Sequence, residues 1–186
     1  LLVRSGRLGR VEDLEQAVDV LQQAVDLAPP SHPARLGALF NLGAALRDRF
    51  ERMGEIRDLE QAITVLHQAV DLTSPDDPRW TTRLMILGVA LHTRFQHWRK
   101  KADLDRSITV HQQGIDAAPP NDPDRGVKLF NYGNALRTRF ERKGKSADLD
   151  RAINAYQDAV EVIPADSPYR GPVLASLGIM LHTRFQ

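Results

Sequence analysis

Hydrophobic residues recur along this chain with the three-and-four spacing of an amphipathic helix. Two such patterns alternate. In residues 58–73 the apolar positions are Leu59, Ala62, Ile63, Leu66, Ala69, Val70 and Leu72. In residues 34–53 they are Leu39, Leu42, Leu46 and Phe50. No segment keeps the period-two alternation of a half-buried strand, so the pattern predicts an all-α protein of about eight helices.

The second pattern belongs to a sequence repeat. The segment LFNLGAALRDRF, which begins at Leu39, returns as LMILGVALHTRF, LFNYGNALRTRF and LASLGIMLHTRF from Leu84, Leu129 and Leu174, each 45 residues after the last. We call the helix that carries this segment the signature helix, and the helix of the other pattern the covering helix. Self-similarity at a fixed period is typical of a solenoid, in which each repeat packs on its neighbours.

Both kinds of helix have start and stop signals. The expected N-caps of the covering helices are aspartates, with a glutamine three residues later in the first two, as in a capping box. These residues are Asp13, Asp58, Asp103 and Asp148, with Gln16 and Gln61. Prolines end the covering helices. A polar residue followed by a further proline then marks the start of each signature helix, which predicts these helices over residues 34–53, 79–99, 124–143 and from 169 onward. Gly54 and Gly144 suit the C-cap, where Arg99 replaces glycine in the second repeat.

Glycine and arginine recur at fixed places in the signature helices. A glycine inside a helix costs about 1 kcal/mol relative to alanine, so its recurrence predicts close approach of a neighbouring helix. The glycines are Gly43, Gly88, Gly133 and Gly178. The arginines are Arg49, Arg94, Arg139 and Arg184, which we expect to bridge to acidic residues such as Asp58 and Asp103 rather than to bind a ligand.

These residues resemble the tetratricopeptide repeat (TPR), whose two helices carry W-x2-L-G-x2-Y and A-x3-F/Y-x2-A-x4-P motifs. The first motif is present with leucine in its aromatic places, as in Leu39, Leu42, Gly43 and Leu46, and the second is closest at Ala152, Tyr156, Ala159 and Pro164. The third covering helix departs from the motif at Ser107, His111 and Gly114, which predicts that it is the least stable, with His111 in the core. The period of 45 rather than about 34 residues resembles the long-period subclass of sensor and scaffold arrays.

The resemblance implies a right-handed superhelical solenoid of antiparallel helix pairs, a single solenoid domain over residues 1–186. The complete pairs are expected at 34–73, 79–118 and 124–163. A lone covering helix at 13–28 is expected before them and a lone signature helix at 169–186 after them. Residues 1–12, in which Leu1, Arg4 and Gly9 match Leu46, Arg49 and Gly54, are expected to be the tail of a preceding repeat, so that the chain is a piece of a longer array.

The resemblance also implies which side chains face the concave groove of the solenoid. They are the residues two before, one after and four after each signature glycine, namely Asn41, Ala44 and Arg47; Ile86, Val89 and His92; Asn131, Asn134 and Arg137; and Ser176, Ile179 and His182. As candidate partner-binding residues we take Asn41, Ala44, Arg47, His92, Asn131, Asn134, Arg137 and His182. Asparagine can donate to and accept from a peptide backbone, and arginine can fork onto a carboxylate. The alternative is that these asparagines hydrogen-bond neighbouring helices.

The function we expect is that of a non-catalytic protein–protein interaction module, which binds a peptide or helix of a partner in the groove as the sensor or scaffold part of a larger protein. The alternative is a structural spacer or self-association array. End-to-end self-association of this fragment is also expected, because its cut ends should expose apolar helix faces that would otherwise meet further repeats.

Composition and charge narrow the remaining classes of function and of partner. The formal net charge is +1, from 25 basic and 24 acidic residues, so we expect no nucleic-acid partner, although the HWRKK segment at 97–101 is dense enough to bind an acidic one. No apolar run of about 18 residues predicts a membrane span, and the cytoplasm is the expected location. Cysteine is absent, the histidines lack metal-ligand spacing, and no catalytic motif is present. We therefore expect no enzyme activity, cofactor or metal.

Overall fold

The computed structural model describes residues 2–30 and 32–186, with side chains from Val11 onward apart from residue 31. Within these residues the chain forms eight α-helices and no strand, which confirms the all-α prediction. The helices are α1 (Leu2–Leu27), α2 (Pro33–Met53), α3 (Ile56–Asp71), α4 (Trp80–Trp98), α5 (Lys101–Asp116), α6 (Arg125–Lys143), α7 (Ser146–Val162) and α8 (Arg170–Phe185). The even-numbered helices are signature helices and the odd-numbered ones are covering helices.

Backbone contacts divide the chain into two compact units, Leu1–Ala90 and Leu91–Gln186, with the boundary inside α4. In the first unit α2 packs between α1 and α3, and in the second α6 packs between α5 and α7, while α7 also packs on α8. The expected match of Leu1, Arg4 and Gly9 to a preceding repeat lies outside the described side chains.

The covering helices begin earlier than the sequence predicts. Their N-caps are Glu55, Lys100 and Lys145, so Asp58, Asp103 and Asp148 lie inside the first turn. Helix α1 runs unbroken from Leu2 to Leu27, so Asp13 is not an N-cap either. The capping boxes are therefore wrong, and Gln61 instead donates to Gln22 Oε1 at 2.9 Å. The physical reason is that the three later aspartates bind arginines rather than free backbone N–H groups.

The links before the signature helices keep their predicted polar cap, but three of the four helices begin later than predicted. In all four links the polar side chain before proline accepts a backbone N–H two residues later, from Ala34, Arg79, Asp124 and Tyr169. Only α2 begins at its proline, Pro33. The other three begin at Trp80, Arg125 and Arg170, because the capped residues first form a tight turn.

The ends of the signature helices agree with the sequence. Gly54 and Gly144 adopt left-handed φ angles of 76° and 62°, and their N–H groups bond to the carbonyls of Phe50 and Phe140. Arg99 takes the same conformation at φ 57°, with its N–H 2.8 Å from the Phe95 carbonyl. An arginine in this conformation is strained relative to glycine, so the turn rather than the residue dictates the backbone here.

Each unit has a core built on a signature helix. In the first unit Leu39, Leu42 and Leu46 of α2 are fully buried between residues of α1 and α3. In the second unit Leu129 and Leu136 of α6 take the same places, among the following buried residues of α5, α7 and α8: Leu104, Ile108, Ile153, Tyr156, Val173 and Met180. The predicted apolar stripes are therefore the ones that pack.

The signature glycines admit a covering helix where one follows. A Cβ on Gly43 would lie 2.5 Å from Leu66 Cγ, and one on Gly133 would lie 2.6 Å from Tyr156 Cε1. Gly178 differs, since a Cβ there would meet nothing within 4 Å. The close-approach prediction is confirmed at Gly43 and Gly133 and is not tested at Gly178, because no covering helix follows α8 within the 186 residues.

We expect Gly133→Ala to lower the free energy of unfolding by about 1–2 kcal/mol, because overpacking against the buried Tyr156 ring outweighs the gain in helix propensity. Gly178→Ala is the matched control and should raise it by up to ~1 kcal/mol. Urea denaturation in dilute solution measures both. Equal effects of the two substitutions would show that the glycines do not serve close packing.

Candidate peptide-binding face

The arginine that recurs in each signature helix is part of the fold. Arg49 binds Asp58 through two hydrogen bonds, both 2.6 Å long, from Nε and a terminal nitrogen to the two carboxylate oxygens. Arg94 with Asp103 and Arg139 with Asp148 repeat this bidentate geometry at 2.6 to 2.8 Å. The predicted structural role of these three arginines is confirmed.

This arginine–aspartate pair joins the last turn of a signature helix to the first turn of its covering helix. The aspartates are buried and the arginines are about one-fifth exposed. A cation late in one helix and an anion early in the next also suit both helix dipoles. The hydrogen bonds that Arg139 donates to Asp148 and, at 3.0 Å, to Asp105 raise the pKa of Arg139.

In the first unit the candidate residues of α2 lie on its uncovered side. Asn41 is exposed, and within the described part of the chain its side-chain amide makes no hydrogen bond. Ala44 is half-buried. Arg47 is engaged locally, 2.7 Å from Asp48 and 3.6 Å from Glu51. Here the amide is available to a ligand, while the arginine has carboxylate partners already.

In the second unit one asparagine is used by the fold and another is free. The Tyr156 hydroxyl donates to Asn134 Oδ1 at 2.9 Å, so the structural alternative holds for Asn134. Burial raises the pKa of Tyr156 to about 12, so the hydroxyl stays protonated as a donor. Asn131 is half-buried and, among the described residues, has no side-chain hydrogen bond. Ser176 is buried rather than facing outward.

The alternating arginine and histidine positions do not behave as a set. His92 Nε2 lies 3.0 Å from Thr138 Oγ1, and burial with the nearby Arg137 charge lowers its pKa to about 4. The ring is therefore neutral at neutral pH. Arg137 lies 3.8 Å from Glu141, and His182 is exposed. Position 92 therefore offers no protonated ligand group near neutral pH.

His111 lies in the core, as its place in the repeat predicts. It occupies the position of Leu66 and Tyr156 on the covering helix, is 2% exposed, and has no hydrogen-bond partner for either ring nitrogen among the described residues. Burial lowers its pKa to about 3. A neutral, unpartnered imidazole in an apolar site costs free energy relative to an aliphatic side chain.

Sequence reasoning missed two groups of buried polar contacts. Arginines near the start of α2, α6 and α8 donate to carbonyls at the end of the preceding covering helix, which satisfies groups that a helix C-terminus leaves free. They are Arg35, Arg125 and Arg170, and their 45-residue register was the available signal. Two buried cations also donate to residues before the signature helices. Lys128 donates to Asp122 at 2.5 Å, and Arg83 donates to Thr73 Oγ1 at 2.6 Å.

A cleft of about 230 Å³ opens on the covering-helix side of the second unit. Its two arginines are already engaged. Arg151 donates to the Tyr132 hydroxyl and reaches Gln112 Oε1 at 3.5 Å, while Arg125 donates to the Ile115 carbonyl at 3.4 Å. The arginines of the cleft are therefore not available to a ligand, whereas Asn154 and Asp158 in the same lining make no side-chain hydrogen bond among the described residues.

The described part of the chain, residues 2–30 and 32–186, brings together no group of three or more metal-ligand side chains. Nor does it contain a helix that is both long and apolar enough to cross a membrane.

No protein-family model matches the sequence, and no curated protein sequence matches it either. Among solved structures the chain is similar to a kinesin light chain-like protein of Podosopora anserina with nearly identical TPR-like repeats. The TM-score is 0.68 at 15% identity, over 98% of this chain and 83% of that one. A single-residue variant of that protein gives 0.69 at 15% identity, over 98% and 82%. The chain therefore has the all-α solenoid fold of TPR-like repeats.

We expect Asp148→Asn to lower the free energy of unfolding by about 2–4 kcal/mol, because it leaves the Arg139 charge without its buried carboxylate. Asp105→Asn is the control, since this carboxylate binds the same arginine but is half-exposed, and should cost less than about 1 kcal/mol. Chemical denaturation of both variants measures the difference. Similar losses would contradict the assignment of Asp148 as the structural partner.

His111 should make stability fall on mild acidification. Its folded pKa of about 3 lies below the unfolded value, so its contribution is complete above about pH 6.5 and is lost as the pH falls towards 3. The slope is up to ~1.4 kcal/mol per pH unit. His111→Leu, which copies Leu66, should be more stable by about 1–3 kcal/mol at pH 7.5. It should also flatten the fall between about pH 6.5 and 5.5 in urea denaturation, and an unchanged slope would contradict the assignment.

Proposed function

We propose that this array of TPR-like repeats is a non-catalytic protein–protein interaction module that binds an extended peptide or a helix of a partner along its signature helices. The observation that supports it most is the free side-chain amide of Asn41, repeated two periods later at Asn131. Both lie two residues before a signature glycine, on surfaces that the covering helices leave open. Each of these amides has no internal partner and can donate to and accept from the backbone of a peptide bound to its own unit.

The charged residues near these amides already lie close to opposite charges, which favours recognition of a ligand's backbone over recognition of its charged groups. Arg47 is close to Asp48 and Glu51, and Arg137 is close to Glu141, so neither arginine presents an uncompensated cation. A carboxyamide donates and accepts at once, which matches the N–H and C=O groups of an extended chain. We therefore expect binding that depends weakly on ionic strength and tolerates many ligand sequences.

The wider setting is part of the same proposal. We infer a sensor or scaffold role within a larger protein in the cytoplasm, with protein rather than nucleic-acid partners and without catalysis. The near-zero net charge favours protein over nucleic-acid partners. The residues that pack against the signature glycines are predominantly apolar, which favours a role in packing rather than in catalysis.

A selection of peptides from a random display library on the purified chain tests the proposal. Peptides recovered on the parent chain should bind the Asn41→Ala/Asn131→Ala variant at least about tenfold more weakly in titration calorimetry, because two donor–acceptor groups are lost. The matched control is Gln68→Ala/Gln157→Ala, which removes two exposed amides from covering helices α3 and α7.

Loss of affinity in both variants, or in neither, would contradict recognition by the asparagine side. Affinity that falls steeply with salt would also contradict it, because that behaviour indicates recognition through charge. Circular dichroism and urea denaturation of each variant, carried out in parallel, exclude a change of fold as the cause.

A further inference from the structure

The turns that follow α4 and α6 carry five exposed cations, all within the second unit. We call this set the basic edge, and its members are Arg99, Lys100, Lys101, Arg142 and Lys145. Among the described residues none of the five forms an ion pair. The corresponding turn of the first unit differs, because Glu51 and Glu55 are interspersed with its arginines. Positive charge is therefore concentrated on this edge of the second unit.

The carboxylates closest in sequence to the basic edge are bound by other residues. Asp103 and Asp148 are buried against the arginines of the repeating pair. Asp105 is shared by Arg139 and Lys143, at 3.0 and 3.4 Å. The charge of the basic edge is therefore not compensated by these aspartates, and it is available to an anion from outside the chain.

The two turns of the basic edge meet at one buried aromatic ring, that of Phe95. The guanidinium carbon of Arg99 lies 5.8 Å from the centroid of this ring, and that of Arg142 lies 5.2 Å from it. Cation–π contacts hold both side chains in place. Because two like charges held at one ring repel each other, an anion that binds beside them is stabilised by both.

Several of these cations lie where the local backbone favours another residue. Arg99 has the left-handed φ of 57° that glycine adopts after α2 and α6. Lys100 and Lys145 are the N-cap residues of α5 and α7, where the helix dipole favours an anion, and the N-cap of α3 is Glu55. Residues that oppose the local preference of the backbone cluster at functional sites. The fold therefore does not account for these cations, whereas a ligand would.

We propose that the basic edge binds an acidic segment, rich in aspartate and glutamate, of a partner protein. Lysine and arginine side chains donate charge-assisted hydrogen bonds to carboxylates. The far ends of α5 and α7, about 24 Å away along a 16-residue helix, are acidic. The residues there are Asp116, Asp124, Glu161 and Asp166. A nucleic acid or an anionic membrane extends past the edge and meets these carboxylates, whereas a short acidic segment does not.

Fluorescence anisotropy tests the inference with a rhodamine-labelled peptide of alternating glutamate and serine, about 12 residues long, which spans roughly 40 Å when extended. The parent chain should bind this peptide at low ionic strength and lose affinity steeply between ~20 and ~200 mM salt. Lys100→Glu/Lys145→Glu, which copies Glu55, should weaken binding about tenfold or more. The matched control is Arg52→Glu/Arg57→Glu, which lowers the net charge equally in the first unit and should change the affinity less than about twofold.

Arg99→Gly supplies an arm in which stability and binding are expected to move in different directions. Glycine suits the left-handed turn, so this variant should be at least as resistant to urea as the parent. It should nevertheless bind the acidic peptide several-fold more weakly, because one cation at the Phe95 ring is lost. Weaker binding by a chain of equal or greater stability excludes unfolding as the cause.

Four outcomes would overturn the inference. They are no binding of the peptide by the parent at the lowest ionic strength, affinity that does not depend on salt, equal losses in the two double variants, and unchanged affinity in Arg99→Gly. Tighter binding of a thymidine oligonucleotide or of phosphatidylserine vesicles than of the peptide would contradict the choice of a protein partner.

The result is separable from the proposed recognition by asparagine. Arg142 lies about 16 Å further along α6 than Asn131. Asn41→Ala/Asn131→Ala leaves every charge in place, so it should bind the acidic peptide as tightly as the parent chain does. Failure of that variant to lose affinity for library peptides would therefore contradict the proposed function alone, and loss of its affinity for the acidic peptide would contradict the separate basic edge.

Discussion

The bidentate pair between an arginine and an aspartate nine residues later is the contact on which the repeat depends. It ties the end of a signature helix to the start of its covering helix across two linking residues, as in Arg49 with Asp58 around Gly54 and Glu55. A point-charge contact would leave the angle between the helices free, whereas a fork that engages both carboxylate oxygens restricts it. Two N–H donors of the guanidinium replace the water that the buried aspartate has lost.

With the helix ends fixed, one residue of the covering helix decides how the middle of each pair is filled. That residue is Leu66, His111 or Tyr156 in successive repeats, and at Leu66 and Tyr156 it lies against a signature glycine. Leucine fills the space without a polar group. Tyrosine is longer, and its hydroxyl donates to Asn134 Oδ1, so that this amide oxygen is no longer available to a ligand. Histidine at the same place leaves two unpartnered nitrogens and makes its repeat sensitive to acid.

The sequence was sufficient for the helices, for the left-handed caps and for the role of the arginines, because each depends on contacts between residues at a fixed separation. It was insufficient for the first turns of the covering helices, where Asp58 can either cap a helix or bind Arg49, and local sequence does not distinguish these. It was also insufficient for the asparagines. Asn131 and Asn134 lie on either side of the same signature glycine, and only Asn134 accepts the hydrogen bond from the Tyr156 hydroxyl.

The same pair also bears on what the signature helices can offer a ligand. In the three described pairs the arginine is only about one-fifth exposed, and its charge is compensated by the aspartate of its own repeat. Arg47 and Arg137 likewise lie close to carboxylates of their own helices. The amides of Asn41 and Asn131, in contrast, have no side-chain hydrogen bond among the described residues. The proposed recognition therefore rests on groups that donate and accept at once rather than on charge.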